Sequence, residues 1–241
     1  MSELSPEAAK RILWLRRRLF SWFEQSGRSF PWRDPDRTPY EIVVAEILLQ
    51  RTTAGGVARA YPGLVERYPS WEALAQASRE GLENSLRPLG LWRQKALAFQ
   101  QLAQSIEELG GVVPRTRKEL ERLPGIGPYT ASAVLAIVYG RAEALLDVNM
   151  ARCLWRFFGS VKPTTEGPKR WLHALAFHLV SGKRSLQVNW AVLDFGALVC
   201  KARRPCCQEC PLRARCQYAG SLRRPTPTSN ALSGSRSAGG R

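Results

Sequence analysis

Four cysteines near the end of the chain have the clearest chemical signature in this sequence. They are Cys200, Cys207, Cys210 and Cys216, spaced C-x6-C-x2-C-x5-C. Four thiolates this close together indicate a metal centre, either zinc or a [4Fe–4S] cluster, and spacing alone separates these alternatives poorly. Cys206 adjoins Cys207, so the choice of ligand within that pair is open by one residue. Cys153, in the apolar run "CLWRFF", is predicted to be a packed core thiol.

Two carboxylates stand in contexts that change their acidity or their role. Glu46 has Ile42, Val43 and Leu49 at helical spacing, so its own helix face is mostly apolar. Such surroundings disfavour the ionised form and raise the pKa, which suits a proton donor. The alternative is that Glu46 only ends a polar stripe. Asp147 directly precedes a predicted helix, where it is an N-cap, a catalytic carboxylate, or both.

A glycine hairpin separates two predicted helices in "LPGIGPYTASAV", residues 123–134. The first helix opens with Thr116 and Glu119 at the spacing of a capping box, and Pro128 suits the first turn of the second. Gly125 and Gly127 allow a tight turn that leaves N–H groups exposed beside a helix N-terminus. The pattern predicts an anion-binding site.

The charge of the chain indicates what that anion is. A net charge of +16 and a pI near 10.3 in 241 residues indicate a polyanionic partner, with nucleic acid the leading candidate. No apolar run is long enough to span a membrane, and "MSELSPEAAKR" lacks a signal-peptide core, so we expect a chain of the reducing cytoplasm. His173 and His178 do not share a helix face, so we interpret both as structural.

The elements that must position these residues are helical. Apolar residues recur at helical spacing almost throughout, and no convincing pair of alternating strands occurs. Ser5-Pro6 begins the first helix, and a second capping box, Thr38 with Glu41, begins an apolar helix through Gln50. Further helices are predicted over 72–86, 92–109, 116–123, 128–139, 148–157, 168–180 and 186–200. Residues 219–241 are rich in Ser, Gly, Pro and Arg and are predicted to be a disordered basic tail.

Together, the glycine hairpin, an aspartate some twenty residues after it and the cysteine array resemble the helix-hairpin-helix DNA glycosylases of the endonuclease III superfamily. The resemblance covers roughly residues 15–218. The segments "FPWRDPDRTPYEIVVAEILLQRTTAGGV" and "LPGIGPYTA" resemble the branch of adenine glycosylases and archaeal thymine-mismatch glycosylases. The resemblance to this superfamily implies that the anion bound at the glycine hairpin is a DNA phosphate. It also implies that the four cysteines carry a [4Fe–4S] cluster.

The resemblance also implies roles for individual residues. Asp147 occupies the position of the catalytic aspartate, and Glu46 that of a catalytic glutamate in adenine glycosylases. Tyr129 stands where bifunctional relatives have a lysine and thymine-mismatch enzymes a tyrosine. Gln50 and Arg51 lie near the extruded base and its orphaned partner, and Leu91 and Trp92 match a loop that wedges into the base stack. Val148, Ala151 and the mixed Gln50-Arg51 pair depart from the pattern, which weakens the assignment of the base.

The resulting expectation is an all-α fold of two helical domains with a DNA-binding cleft between them. Residues 37–140 would form a helical barrel that ends in the hairpin, and 1–36 with 141–218 would form the cluster domain. We expect a monomeric, monofunctional glycosylase, associated with the nucleoid, that removes thymine or uracil opposite guanine from double-stranded DNA. One alternative is an adenine glycosylase acting opposite oxidised guanine, although only twenty-five residues follow Cys216. The other is a non-catalytic lesion-binding protein.

Overall fold

The computed structural model describes residues 4–159 and 167–222, and these form helices, turns and loops without a β-strand. The prediction of an all-α fold is therefore confirmed. No helix in the described ranges is long and apolar enough to cross a membrane. The helices are α1 Pro6–Ser26, α2 Pro39–Leu49, α3 Ala54–Arg67, α4 Trp71–Gln76, α5 Arg79–Leu86, α6 Trp92–Glu107, α7 Arg117–Leu120, α8 Pro128–Ile137, α9 Val148–Phe158, α10 Gly167–Val180, α11 Ser185–Leu198 and α12 Gln217–Ser221.

Helices α2 to α8 enclose one hydrophobic core. Its fully buried side chains include Val43, Leu48, Tyr61, Phe99 and Leu102. Helix α2 is apolar on nearly every face, and α3, α6 and α8 pack around it. An apolar helix surrounded in this way loses water from all its side chains, so α2 is held firmly at the centre of this half of the molecule.

Helices α1, α9, α10 and α11 enclose a second core. Helix α1 contributes Ile12, Leu15 and Leu19, whose helical spacing places them on one buried face. A smaller cluster, with Ala133 and Leu145 buried and Leu193 partly buried, joins α8 to α11. Trp32, which precedes the predicted boundary at residue 37, lies in the first core. The division into domains 37–140 and 1–36 with 141–218 stays a prediction.

The helix starts follow the predicted caps. The Ser5 hydroxyl accepts from the Ala8 N–H at 3.3 Å, and Thr38 and Glu41 form the reciprocal capping box at α2. Thr116 accepts from the Glu119 N–H at 3.3 Å. These local bonds satisfy backbone donors that a helix leaves free at its first turn, so sequence spacing alone predicts them.

Several predicted boundaries were wrong. The helix predicted over 72–86 is broken between α4 and α5, where the Ser78 hydroxyl caps a new helix through the Gly81 N–H. Helix α3 is absent from the predicted helices, because its sequence contains Pro62 and Gly63, which usually interrupt a helix. Pro62 lies inside the helix, whose Val57, Tyr61 and Leu64 are buried, and this packing outweighs the one backbone hydrogen bond that proline removes. Residues 219–221, assigned to the tail, belong to α12, and 223–241 lie outside the described residues.

Candidate functional site

The hairpin between α7 and α8 is built as the sequence predicts, although only one of its two glycines is required by conformation. Gly125 has φ +78, a left-handed conformation that side chains disfavour. Gly127 is the N-cap of α8 at φ −89 and ψ 179, which any residue adopts. A Cβ atom added at Gly127 would meet no atom within 4 Å apart from its chain neighbours, so there is open space beside this residue at the α8 N-terminus. An approaching anion would use that space.

Asp147 is the N-cap of α9, as one of its two predicted roles requires. Its Oδ1 accepts from the backbone N–H groups of Asn149 and Met150 at 2.9 and 2.7 Å. Its Oδ2 accepts from the Asn149 side-chain amide at 2.5 Å. Burial raises the pKa of Asp147 above its usual range, and these hydrogen bonds oppose the shift. The carboxylate is thus held in one orientation by the start of the helix.

Glu46 lies near the end of α2 and is 7% exposed. Burial raises its pKa to about 7, and the positive charge of Arg33 partly opposes that shift. The apolar surroundings expected from its helical neighbours are therefore observed. A carboxylic acid with this pKa exchanges its proton close to neutral pH, which general acid catalysis requires.

Tyr129 lies in the first turn of α8, beside the hairpin. Its side chain is 38% exposed in a cleft, and burial of the hydroxyl raises its pKa well above the usual value. The negative charges of Glu46 and Asp147 add to that shift. The phenol is consequently neutral at physiological pH and can donate a hydrogen bond.

One pocket of about 640 Å³ brings these three side chains together. Glu46 contributes from α2, Tyr129 from α8 and Asp147 from the start of α9, while Gln50 and Arg51 line the same pocket. Residues from four segments complete the wall, including Arg28, Phe30, Trp32, Arg33, Thr52, Leu145, Val148, Asn149, Trp190 and Leu193. Two carboxylates, a phenol and aromatic rings around a space of this size could accept a planar heterocycle.

The turn after α2 carries Gln50 and Arg51. The Gln50 amide nitrogen donates to the Gly125 carbonyl at 2.9 Å and to the Thr130 hydroxyl at 3.2 Å. Only its amide oxygen remains available to a ligand. Arg51 is exposed and has φ +55, a left-handed conformation that is uncommon for a residue with a side chain.

The predicted wedge residues lie outside the pocket, at the start of α6. Leu91 is 43% exposed and left-handed at φ +49. Trp92 is half-buried, with the guanidinium groups of Arg93 and Arg87 at 4.0 and 5.5 Å from its ring centre. The loop before α6 contacts the turn after α2, where the Thr52 hydroxyl donates to the Leu89 carbonyl at 3.3 Å. The two predicted DNA-contacting segments are therefore neighbours.

Comparison with known proteins assigns the chain to a protein family. Residues 44–175 match the model of the HhH-GPD superfamily base excision DNA repair protein. This chain belongs to the HhH-GPD superfamily. A thymine-DNA glycosylase of Aeropyrum pernix is 40% identical over 214 residues, which cover 86% of this chain and 95% of that protein.

Two further similarities extend the comparison. An adenine DNA glycosylase of Homo sapiens is 35% identical over 208 residues, which cover 83% of this chain and 38% of that protein. The solved structure of a thermostable thymine-DNA glycosylase superposes with a TM-score of 0.82 at 32% identity, covering 88% of this chain and 98% of that one. The resemblance inferred from the hairpin, the aspartate and the cysteines is confirmed at the level of the superfamily.

All six cysteines lie within the described ranges, and none of them forms a disulfide bond. Cys200, Cys207, Cys210 and Cys216 line one narrow cavity of about 20 Å³ together with Cys153 and Cys206. In the described part of the chain, no three His, Cys, Asp or Glu side chains converge closely enough to hold a single metal ion. A group of cysteine thiols around one cavity fits a thiolate-bound metal centre of the kind that their spacing indicates. Cys153 is buried in the second core, as predicted.

A chain of hydrogen bonds connects this cysteine loop to Asp147. The Asn149 side-chain oxygen accepts from Arg152 at 2.8 Å, and Arg152 also donates to the Cys200 carbonyl at 2.9 Å. Arg156, one turn further along α9, donates to the Lys201 carbonyl at 2.7 Å. Helix α9 therefore positions both the carboxylate and the start of the loop.

The largest group of site residues that sequence reasoning missed surrounds Asp194. This fully buried carboxylate accepts from Arg33 through two bonds of 2.9 Å and from the Arg28 backbone N–H at 2.8 Å. The guanidinium groups of Arg28 and Arg33 both lie close to Phe30, at 4.9 and 5.0 Å from its ring centre. The family resemblance includes the "FPWR" segment but assigns no role to its residues. Its aromatic and basic residues are a local signal, but the buried carboxylate that holds them lies on α11.

Proposed function

We propose that this chain is a monofunctional DNA glycosylase of base excision repair that hydrolyses the N-glycosidic bond of thymine or uracil opposite guanine. The observation that carries the proposal is the single pocket shared by Glu46, Tyr129 and Asp147. Breaking an N-glycosidic bond requires the nucleotide to leave the base stack and enter such a pocket. A carboxylate beside the sugar and a proton donor near the leaving base are then the useful groups.

Asp147 acts on the sugar in this proposal. The bond breaks through a cationic, oxocarbenium-like state of the sugar. A fixed carboxylate stabilises this cation or positions the water that attacks it. The N–H groups of α9 and the Asn149 amide hold the carboxylate before the substrate arrives, so no energy is lost in orienting it.

Glu46 and Tyr129 act near the base. The carboxylic acid of Glu46, with a pKa of about 7, would donate a proton or hydrogen bond to the departing pyrimidine. The neutral phenol of Tyr129 would shape the pocket between the base and the sugar. Arg33, Phe30 and Trp190 supply a wall against which a planar base can stack.

The proposed lack of strand cleavage is supported by the tyrosine at position 129. A lyase needs an amine that forms a Schiff base with the sugar, and Tyr129 cannot do this. The described pocket wall contains arginines but no lysine. Lys95 lies close in sequence to the wedge loop, but its amine is buried against backbone carbonyls.

The DNA duplex would be held by the hairpin and by the two exposed turns. A phosphate would bind in front of the α8 N-terminus at Gly127, with Gly125 making the turn possible. Arg51, Leu91 and Trp92 would fill the space left by the extruded nucleotide and contact its former partner. These contacts need one chain, so we propose a monomer acting on double-stranded DNA of the nucleoid.

A [4Fe–4S] cluster would be held by Cys200, Cys207, Cys210 and Cys216. Its proposed role is structural. When bound, it would order the loop after α11, which carries exposed basic residues such as Lys201 and Arg203. Arg156 already fixes the beginning of this loop by hydrogen bonds to its carbonyls.

The choice of thymine or uracil is supported by the Aeropyrum thymine-DNA glycosylase, which is similar along 95% of its length. An adenine glycosylase acting opposite oxidised guanine is the second candidate. The 35% identity with the human adenine enzyme favours it, as does Glu46, which stands where adenine glycosylases have a catalytic glutamate.

One assay separates these functions. Labelled duplexes containing T·G, U·G, adenine opposite oxidised guanine, or undamaged pairs are incubated with the protein and analysed with and without alkali. We expect breaks after alkali in the T·G and U·G duplexes alone. Breaks only at adenine would establish the second candidate. Binding to a mismatch without any break would establish a non-catalytic protein.

A further inference from the structure

Lys95 is a buried cation that the proposed chemistry does not use. The side chain is 5% exposed and lies on α6 against the end of α2. Its Nζ donates to the carbonyls of Ile47 and Leu48 at 3.0 Å each and to that of Gln50 at 2.7 Å. Burial lowers its pKa to about 8, so the ammonium form is retained at a cost. Three hydrogen bonds to one backbone segment offset that cost.

Two of these bonds complete the end of α2. The last carbonyls of a helix have no partner within it and carry a partial negative charge, which a cation stabilises. The third bond lies beyond the helix. It fixes the Gln50 carbonyl, which belongs to the peptide immediately before the left-handed Arg51. Capping α2 alone would not require it.

The backbone of Lys95 is connected to a second left-handed residue, Leu91. Its N–H donates to the Leu91 carbonyl at 3.0 Å, the first backbone bond of α6. Leu91 and Arg51 both have side chains and both hold positive φ, which is unfavourable unless the surroundings impose it. A single residue therefore connects the two strained, exposed turns. The bond from the Thr52 hydroxyl to the Leu89 carbonyl joins the same turns nearer the surface.

We propose that Lys95 is a positioning residue that holds the Arg51 turn in register with Leu91 and so determines how the opposite base is read. This inference rests on the proposed function. Lys95 does not line the pocket, and its ammonium group bonds to backbone carbonyls rather than to Glu46, Tyr129 or Asp147. Loss of the Lys95 ammonium would let the backbone of Arg51 relax toward ordinary conformations. The Arg51 guanidinium would then move relative to the wedge residue Leu91. Recognition of the partner base would then suffer more than bond hydrolysis.

The test compares excision opposite different partners under single-turnover conditions with saturating enzyme. Lys95→Met keeps the length of the side chain but removes all three donors. We expect its ratio of excision rates, U·G over U·A, to fall at least tenfold. Excision of uracil opposite an abasic analogue, where no partner base exists, should stay within threefold of the wild type. A role in stability alone would not separate these two rates.

Leu102→Ala is the matched control, since Leu102 is fully buried on the same helix and makes no contact with either turn through hydrogen bonds. It should lower the melting temperature and leave the U·G to U·A ratio within twofold. If Lys95→Met does not fold by circular dichroism, Lys95→Gln, which keeps a donor for one carbonyl, is measured in its place and should lower the ratio at least threefold. An unchanged ratio in a folded Lys95 variant, an equal change in Leu102→Ala, or failure of both Lys95 variants to fold would overturn the proposal.

Failure of the proposed function would be visible separately in the wild type. If the wild type removes adenine opposite oxidised guanine and no pyrimidine, the same ratio is measured with oxidised guanine and guanine as partners. A tenfold fall in Lys95→Met would then support the positioning role with a different base. A wild type that excises no base would overturn both proposals.

Discussion

The Asn149 side-chain amide donates to the Asp147 carboxylate at 2.5 Å, while the oxygen of the same amide accepts from Arg152 at 2.8 Å. The partners on both sides fix the orientation of the amide, because a carboxylate only accepts and a guanidinium only donates. Asp147 is therefore positioned both by the start of α9 and by a side chain held from the cysteine loop. Substitutions at Asp147 should distinguish the role of its negative charge from its role as the N-cap of α9.

Asp147→Asn should abolish base removal while retaining DNA binding. Asparagine is as good an N-cap as aspartate, so α9 should still begin at the same residue. Its amide nitrogen would face the Asn149 amide nitrogen, and we expect a loss of about 1 kcal/mol in the free energy of unfolding. The excision rate should fall by at least about a thousandfold, as for other essential catalytic carboxylates. Gel-shift binding to a T·G duplex and urea unfolding provide the controls, and normal excision by this variant would exclude the catalytic role.

The pH dependence of base removal should follow Glu46. Its pKa is raised to about 7 by burial, so the proton donor is present below that value and is lost above it. The single-turnover rate should fall about tenfold per pH unit above pH 7 if one proton is required. Glu46→Gln should be slow and nearly independent of pH in this range. A wild-type rate that is constant from pH 6 to 9 would contradict the assignment of Glu46 as an acid.

Glu46 should also make folding pH-dependent. Its pKa in the folded state lies above the value of 4.5 in an unfolded chain, so its contribution to stability is fully present below pH 4.5 and is lost as the pH rises through about 7. Glu46→Gln removes the ionisation, and its melting temperature should exceed that of the wild type at pH 8 but not at pH 5. The difference between the two pH values isolates this carboxyl from the other acids of the chain.

The local features of this fold could be predicted from the sequence, and the long-range ones could not. Caps such as Thr38 with Glu41 and the apolar stripe of α1 depend on residues a few positions apart, so spacing reveals them. Arg33 and Asp194 are 161 positions apart, and their pairing exists only because α11 packs beside the "FPWR" segment. Likewise, α3 contains a proline whose local cost is outweighed by burial of Tyr61, which only the folded core provides.

The candidate site, too, has features that could be predicted from the sequence and features that could not. The superfamily resemblance identified the positions of Asp147, Glu46 and Tyr129, and their common pocket is found in the structure. The resemblance did not indicate that the Gln50 amide nitrogen donates to the Gly125 carbonyl. Nor did it indicate that the Lys95 ammonium donates to the Gln50 carbonyl. Such bonds involve backbone carbonyls, which every residue has, so no pattern of side chains can reveal them.

The cysteine pair offers a test of the cluster ligands. Protein purified without oxygen should be brown, with roughly four irons per chain. Cys207→Ser should lose iron and the brown colour, whereas its neighbour Cys206→Ser should retain both, because the C-x6-C-x2-C-x5-C array uses Cys207. Iron content and the visible absorption spectrum decide the assignment. The reverse result would move the ligand to Cys206, and stoichiometric zinc without iron in the wild type would refute the cluster.

Tyr129→Lys should convert the enzyme into one that cleaves the DNA strand. The side chain at this position lies in the pocket with Glu46 and Asp147, so an amine there would face the sugar of the extruded nucleotide. Burial lowers the pKa of such an amine, while the two carboxylates raise it, so the reactive neutral fraction should grow from pH 7 to 9. Borohydride should then trap the variant covalently on a U·G duplex, increasingly as the pH rises, and breaks should form without alkali. The wild type and the matched variant Tyr129→Phe should give neither adduct nor break. If Tyr129→Lys excises the base normally but forms no adduct at any pH, the residue at 129 does not face the sugar, and the proposed orientation of the nucleotide in the pocket is wrong.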